Sequence, residues 1–143
     1  MSKKKVFCFG FGQVAKHFVK KIIKEEPALE INISSRKKTH TLTFESLDLN
    51  SYEFNEEKID KNINTKIQDA DFILVSIPPT NEEDVVINNF GEAIKKTKTK
   101  WITYLSATSV YGNHNGKWVN ERSDAKPTSI SGVKRLKAEN QWL

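Results

Sequence analysis

The sequence predicts an α/β fold, a doubly wound parallel sheet whose strands are joined by crossover helices, and three observations carry that expectation. Apolar Val6-Phe7-Cys8-Phe9 runs directly into Gly10-Phe11-Gly12-Gln13-Val14-Ala15 and then into a helical stretch. Asp71 to Ile77 is an almost unbroken apolar run, as a central parallel strand requires when helices cover both its faces. Further along, short apolar segments alternate with amphipathic ones, the order that parallel pairing with crossovers imposes.

Taken in order, Val14, Phe18, Ile22 and Ile23 recur at helical spacing with lysines on other faces, and this helix ends before Pro27. Leu29, Ile31 and Ile33 alternate with polar residues as a second strand, whose carboxyl end reads Ser34-Ser35-Arg36-Lys37. A third strand is expected around Thr41 to Phe44 or Ser46 to Leu49. The polar stretch from Asn50 to Lys66 has no clear period, although Phe54, Ile59 and Ile63 suit a short helix or a loop over the sheet. Pro78-Pro79 stops the buried strand, and Asn81 is a cap for the next helix, with Val85, Val86, Phe90 and Ile94 on one face. Trp101 to Leu105 returns as a strand. A last helix begins near Thr128, with Val133, Leu136 and Trp142 as its apolar residues.

With 143 residues and 37% apolar composition, the chain is expected to form one domain, residues 1–143, around one core. The net charge of +5 is spread over lysines that read as solvated helix faces, without the interleaved aromatics of a nucleic-acid site. The single cysteine, Cys8, excludes an internal disulfide and suggests a reducing compartment. His17, His40 and His114 lack ligand spacing, so no metal is expected. No segment is long and apolar enough to act as a signal peptide or to span a bilayer, which points to a cytoplasmic protein.

The glycine turn carries the chemistry. Gly10 can take the positive φ of a tight turn, and Gly12 has no Cβ to hold a pyrophosphate away from the backbone. The helix behind them presents amides and the positive end of its dipole. This is the Rossmann-type dinucleotide fingerprint, and it makes Gly10, Phe11, Gly12, Gln13 and Val14 cofactor-binding candidates. Ser76, beside Pro78 at the end of the buried strand, is placed to line the same groove, since ligands collect at strand carboxyl ends. A carboxylate about 20 residues on usually holds the ribose 2′-OH of NAD. Glu30 fits that count but lies at the amino end of its strand. The carboxyl end instead offers Ser34, Ser35 and Arg36, which suit a 2′-phosphate and favour NADP over NAD. The plain alternative is a loop that Arg36 and Lys37 merely keep soluble.

Tyr104-Leu105-Ser106-Ala107-Thr108-Ser109-Val110-Tyr111-Gly112, followed by Val119-Asn120-Glu121 and Lys126-Pro127, resembles the middle of the extended short-chain dehydrogenase/reductase family. These are the NAD(P)-dependent sugar epimerases and dehydratases. The likeness continues through Ser131-Gly132-Val133-Lys134-Arg135-Leu136-Lys137-Ala138-Glu139, where the family carries Tyr-Gly-x-Ser-Lys-Leu-x-x-Glu. Together with Gly-Phe-Gly-x-Val-Ala, Ser-Ser-Arg and the Pro-Pro loop, this looks like an atypical branch of the family.

The resemblance implies a Ser or Thr, a Tyr and a Lys acting on a carbonyl or sugar substrate during hydride transfer. Carried over by position, the tyrosine falls on Ser131, the lysine on Arg135 and the Ser or Thr on Ala107. An alkyl hydroxyl is a far poorer acid than a phenol, and an arginine side chain gives no readily removed proton. Ser106 and Thr108 flank Ala107, but strand alternation points them to the other face unless the strand end is irregular. Lys134 projects about 100° from Arg135 on a helix. Tyr111 can act as an acid in principle, although the family places it beside the substrate path. Ser131, Arg135, Ser106 and Tyr111 are therefore the catalytic candidates. Asp48 is a candidate for the adenine edge, with an ordinary surface carboxylate the equal alternative.

Family chains are longer, so the sheet is expected to be truncated before the substrate-binding region, as in an amino-terminal fragment. The resemblance also implies a homodimer through Asn81 to Lys98 and Thr128 to Leu143. The leading expectation is an NAD(P)-binding epimerase- or reductase-like protein with substituted catalytic positions. A noncatalytic redox sensor or interaction protein is the alternative, and a β-hydroxyacid-type dehydrogenase a third.

Overall fold

The computed structural model describes residues 3–37, 40–80 and 83–143. The chain divides into two compact units, residues 1–77 with 90–103, and residues 78–89 with 104–143. The sheet is Rossmann-type, with strands β1 (Lys4–Phe9), β2 (Leu29–Ser35), β3 (Thr41–Phe44), β4 (Leu47–Glu53), β5 (Phe72–Val75) and β6 (Trp101–Tyr104). Their order is β3-β4-β2-β1-β5-β6. β1 pairs in parallel with both β2 and β5, and β4 in parallel with β2, while β3 folds back antiparallel on β4. Both segments weighed for a third strand are thus strands, joined as a hairpin.

Among the described residues, α1 (Gln13–Glu25), α2 (Asn62–Gln68) and α3 (Val85–Lys95) each lie between strands, and α4 (Ile130–Trp142) follows β6. In the first unit, Phe7 and Phe9 on β1 are fully buried, and Phe9 meets both Phe54 and Phe90, which also meet each other at 5.1 Å between ring centroids. Each such aromatic pair is worth about 0.5–1.5 kcal/mol beyond its burial. Ile63 and Ile67 give α2 its buried stripe, one turn apart, the helix beginning inside the polar stretch and ending just past it.

The buried face of α1 runs through Ala15 and Val19, with Phe18, Ile22 and Ile23 half-buried. Val14 is 59% exposed, contrary to the expected apolar face, because it stands at the solvent side of the first turn. Val133 on α4 is likewise exposed, and Gly132 and Ala138 are the buried residues of that helix. Asn81 lies outside the described residues. Asp84 caps α3 instead, its Oδ1 accepting the amides of Val86 and Ile87 at 2.9 and 3.0 Å.

A polar seam crosses the sheet beside this core. Asn32, 1% exposed, accepts from Asn50 Nδ2 at 3.2 Å and Tyr52 Oη at 3.4 Å, and donates to Glu30 Oε1 at 3.2 Å. Glu30 in turn pairs with Lys66 of α2 at 3.0 Å. At the start of β5, Asp71 Oδ2 accepts the Lys5 amide at 2.9 Å, and Asp71 Oδ1 pairs with Lys100 at 3.2 Å. The seam and this clip tie β4 to β2, β5 to β1 and the approach to β6 to β5.

Candidate functional site

The strand order reverses direction of travel at β1, where the chain, having built outward through β2 and β4, returns to place β5 on the other side. Ligand crevices in open α/β sheets form at such a point, beyond the carboxyl ends of the strands. The glycine turn lies there. Gly10 has φ +84°, and an added Cβ would come within 3.0 Å of Ile77 Cγ1 and Ser76 Oγ. Side chains of both flanking strands hold the turn. Ser34 Oγ accepts the Gly10 amide at 2.9 Å, and Ser76 Oγ donates to the carbonyls of Phe9 and Gly10 at 2.9 and 3.3 Å.

Gly12 occupies the N-cap of α1 with extended backbone, and no side chain caps the helix. A Cβ there would meet nothing within 4 Å. The first turn of α1, which carries the amides of Gln13 and Val14, is therefore left without a side-chain cap, with open space at the Gly12 Cβ position and the helix dipole behind it. Phe11 stacks edge-on against Phe44 of β3 with centroids 5.2 Å apart, which anchors the tip of the turn.

Gly10 to Val14, Ser34 and Ser76 thus come together at neighbouring strand ends. Two details differ from the sequence expectation. The Gly10 amide is occupied by Ser34, so the open donors begin after it. The hydroxyls of Ser34 and Ser76 are spent on the turn itself, and Ser34 is 1% exposed. Ser35 Oγ accepts the Lys37 amide at 3.2 Å, and Arg36 follows with an exposed side chain. Glu30 sits at the amino end of β2, as expected. Asp48 is at the amino end of β4, where Thr43 Oγ1 donates to it at 2.7 Å, so it stands away from the strand ends that carry the turn. Glu53 holds the carboxyl end of β4 instead, opposite Ser35.

The second unit contains the remaining candidates. β6 ends at Tyr104, and Thr108–Tyr111 form a 3-10 turn, so Ser106 and Ala107 lie on irregular backbone and strand alternation does not orient them. Gly112, at φ +68°, and Gly132 bring backbones together: a Cβ on Gly132 would lie 2.4 Å from Ser109 O and 2.9 Å from Pro127 Cβ. Arg135 Nη1 donates to Tyr104 Oη at 3.2 Å and Leu105 O at 2.9 Å. Burial pushes the Tyr104 phenol up, and the Arg135 guanidinium partly offsets this. Tyr104 also stacks on Trp142 at 5.8 Å.

An open cleft of about 570 Å³ is lined by Pro78, Ala107, Ser109, Ser131, Lys134 and Arg135, among others. It gathers Pro78, Ser131 and Arg135. It does not include Ser106, which is exposed, or Tyr111, which faces His114. Lys134 lines the same cleft as Arg135, despite the angular separation that argued against it. Among the described residues, Ser131 Oγ shares a hydrogen bond with Ser129 Oγ, at 3.2 Å. A smaller opening of about 360 Å³ along β4, between Ser51, Glu53, Lys58 and Asp60, stands apart from the glycine turn. Among the described residues, no three His, Cys, Asp or Glu side chains gather as a metal site, and no helix is long and apolar enough to cross a membrane.

No protein-family model and no curated protein matches the chain. Solved structures do. A functionally unknown conserved protein from Silicibacter pomeroyi DSS shares 26% identity at a TM-score of 0.79, over 97% of this chain and 48% of that one. The UDP-glucuronic acid 4-epimerase from Bacillus cereus, solved with NAD, shares 19% identity at 0.71, over 95% of this chain and 50% of its own. The ADP-L-glycero-D-manno-heptose-6-epimerase of Helicobacter pylori shares 13% identity at 0.67, over 98% and 50%. The chain therefore has the fold found in nucleotide-sugar epimerases and spans about half their length.

Proposed function

We propose that this chain is a dinucleotide-binding domain of the epimerase/dehydratase type, residues 1–143, that takes NADP in preference to NAD. The observation that carries the reading is the uncapped start of α1, where the missing Cβ of Gly12 leaves open space in front of the first-turn amides. Those amides, from Gln13 onward, would hold the pyrophosphate. Arg36, with Lys37 beside it, would hold a 2′-phosphate, a group for which a guanidinium fork is well shaped. Ser34 and Ser76 support the turn from below. When bound, the nicotinamide supplies hydride chemistry; that the epimerase neighbour was solved with NAD supports the general class of cofactor.

For the reaction, Arg135 is committed to Tyr104 and Leu105, and Ser131 is an alkyl hydroxyl, so neither substitutes for a phenol and an amine. This favours binding without the usual proton relay. The second reading, a nucleotide-occupied sensor or interaction domain, draws support from the same engagement of Arg135. A small carbonyl or sugar substrate belongs to the first reading, in the cleft beside Ser131 and Lys134.

The test is fluorescence titration of NADPH and NADH into folded protein, with Arg36→Ala alongside. Expected are saturable binding of NADPH, weaker binding of NADH, and about a tenfold loss for NADPH alone in Arg36→Ala, the size of one charge-assisted contact. Absence of binding by both coenzymes overturns the reading. Coenzyme-dependent turnover of a nucleotide sugar would favour the enzyme over the sensor.

A further inference from the structure

The geometry points to Asn55 as a positioning residue for coenzyme selectivity, a role that rests on Arg36 being the 2′-phosphate contact. Asn55 follows β4 and is half-buried, and every hydrogen-bonding position of its amide is in use. Its Nδ2 donates to the main-chain carbonyl of Arg36 at 3.0 Å and to Glu53 Oε1 at 3.2 Å. Its Oδ1 accepts the amides of Glu57 and Lys58 at 2.9 and 2.8 Å. A carboxamide has two donors and two lone pairs, so this residue is saturated.

The two halves of that amide do different work. The oxygen closes the turn after β4, which the Asn55 amide bonded to Lys58 O and the Phe54–Ile59 bridge also secure. The nitrogen reaches across to the next strand end and fixes the backbone from which the Arg36 side chain extends. It also occupies one oxygen of Glu53, while Lys58 Nζ lies 3.4 Å from the other. Glu53 stands opposite Ser35 in the β2–β4 register, so an acid pairs with the residue that precedes Arg36. With both its oxygens engaged, Glu53 is restrained, and among the described residues Arg36 carries no ion pair. The loop thus keeps a guanidinium available at a strand end where an acid is one residue away.

Asn55→Asp separates the two functions, because aspartate keeps the acceptor for Glu57 and Lys58 and loses the donor to Arg36 and Glu53. NADPH and NADH are titrated into the full chain bearing Asn55→Asp, Arg36→Ala and both changes, with salt varied from low to moderate. Expected is about a tenfold loss of NADPH affinity in Asn55→Asp with NADH changed less than about twofold, together with a shallower salt dependence for NADPH. In the Arg36→Ala background the same change should have no further effect, whereas direct repulsion by the new carboxylate would persist there. Equal loss for both coenzymes, an unchanged ratio, or an effect that survives in the double variant overturns the role of Asn55. If the unaltered chain binds neither coenzyme, or Arg36→Ala leaves the ratio untouched, the coenzyme reading itself fails and the role of Asn55 with it. Asn55→Ala, whose turn loses both halves, serves as the folding control by circular dichroism.

Discussion

Ser34 Oγ accepts the backbone amide of Gly10 at 2.9 Å, so a hydroxyl on β2 fixes the first residue of the turn that follows β1. Ser34 is 1% exposed and Gly10 half-buried, which limits the access of water to the bond. Ser34→Ala should cost about 1–3 kcal/mol, the penalty of an unsatisfied buried donor. Urea unfolding reads that value directly, and an unchanged midpoint would show that the turn holds without the hydroxyl.

Gly10 and Gly12 should respond in opposite ways to substitution. Gly10→Ala meets a left-handed backbone and two atoms at 3.0 Å, and should lose about 1–2 kcal/mol of stability. Gly12→Val has an ordinary φ of −80° and open space around its Cβ. It should unfold within about 0.5 kcal/mol of the parent chain, the usual range for an unconstrained surface change. Coenzyme binding should nonetheless disappear from Gly12→Val, as isothermal titration can establish.

Acid sensitivity should have an identifiable source at Asp71. The Lys5 amide donating to its carboxylate, with Lys100 beside it, holds this group below its ordinary value of 3.8. Depression in the folded state means the stabilisation is fully present above that value and is lost as pH falls through the lower, folded one. Stability curves of the parent and Asp71→Asn should therefore converge as pH falls below about 4. A constant gap across that range would assign the acid limb to other groups.

Arg135 should prove structural in the second unit. Removing it strips a donor from Tyr104 Oη and Leu105 O, and Arg135→Ala should lose about 1–3 kcal/mol. Arg135→Lys should recover only part of the loss, since both bonds come from the single Nη1 and an ammonium carries enough donors for them but on a shorter, more flexible stem. A double-mutant cycle with Tyr104→Phe gives the coupling, expected at about 0.5–3 kcal/mol for groups in contact. Additive losses would place the role of Arg135 elsewhere.

The sheet was legible wherever a strand was apolar and bordered by glycine or proline, as with β1 before Gly10 and β5 before Pro78. The glycine turn was legible for the same reason. For α2 the sequence leaves a short helix and a loop open, because Asn62, Asn64, Thr65 and Lys66 surround its two isoleucines, too few to show a helical period. Helix faces were misjudged at Val14 and Val133, where apolarity was read as burial although small residues make the close contacts. Ala15, Gly132 and Ala138 give almost no signal in a hydrophobic pattern. Asn55 and Glu53 were beyond reach for another reason: their significance arises from a parallel pairing between strands nearly 20 residues apart, which composition does not display. Asp48 was assigned to the wrong end of its strand because its register was unknown.

The polar seam through Glu30, Asn32, Asn50, Tyr52 and Lys66 has a consequence for how the chain finds its shape. A strand displaced by a single position would exchange one face for the other, placing isoleucines where two carboxamides, a carboxylate and a phenol now match. Such a slip is penalised at several points at once, so β2 has one alignment in which to settle. Ser34 shares the face of Glu30 and Asn32, and it arrives beneath Gly10 only in that alignment. An error in that alignment would therefore misplace the glycine turn together with the isoleucines of the core.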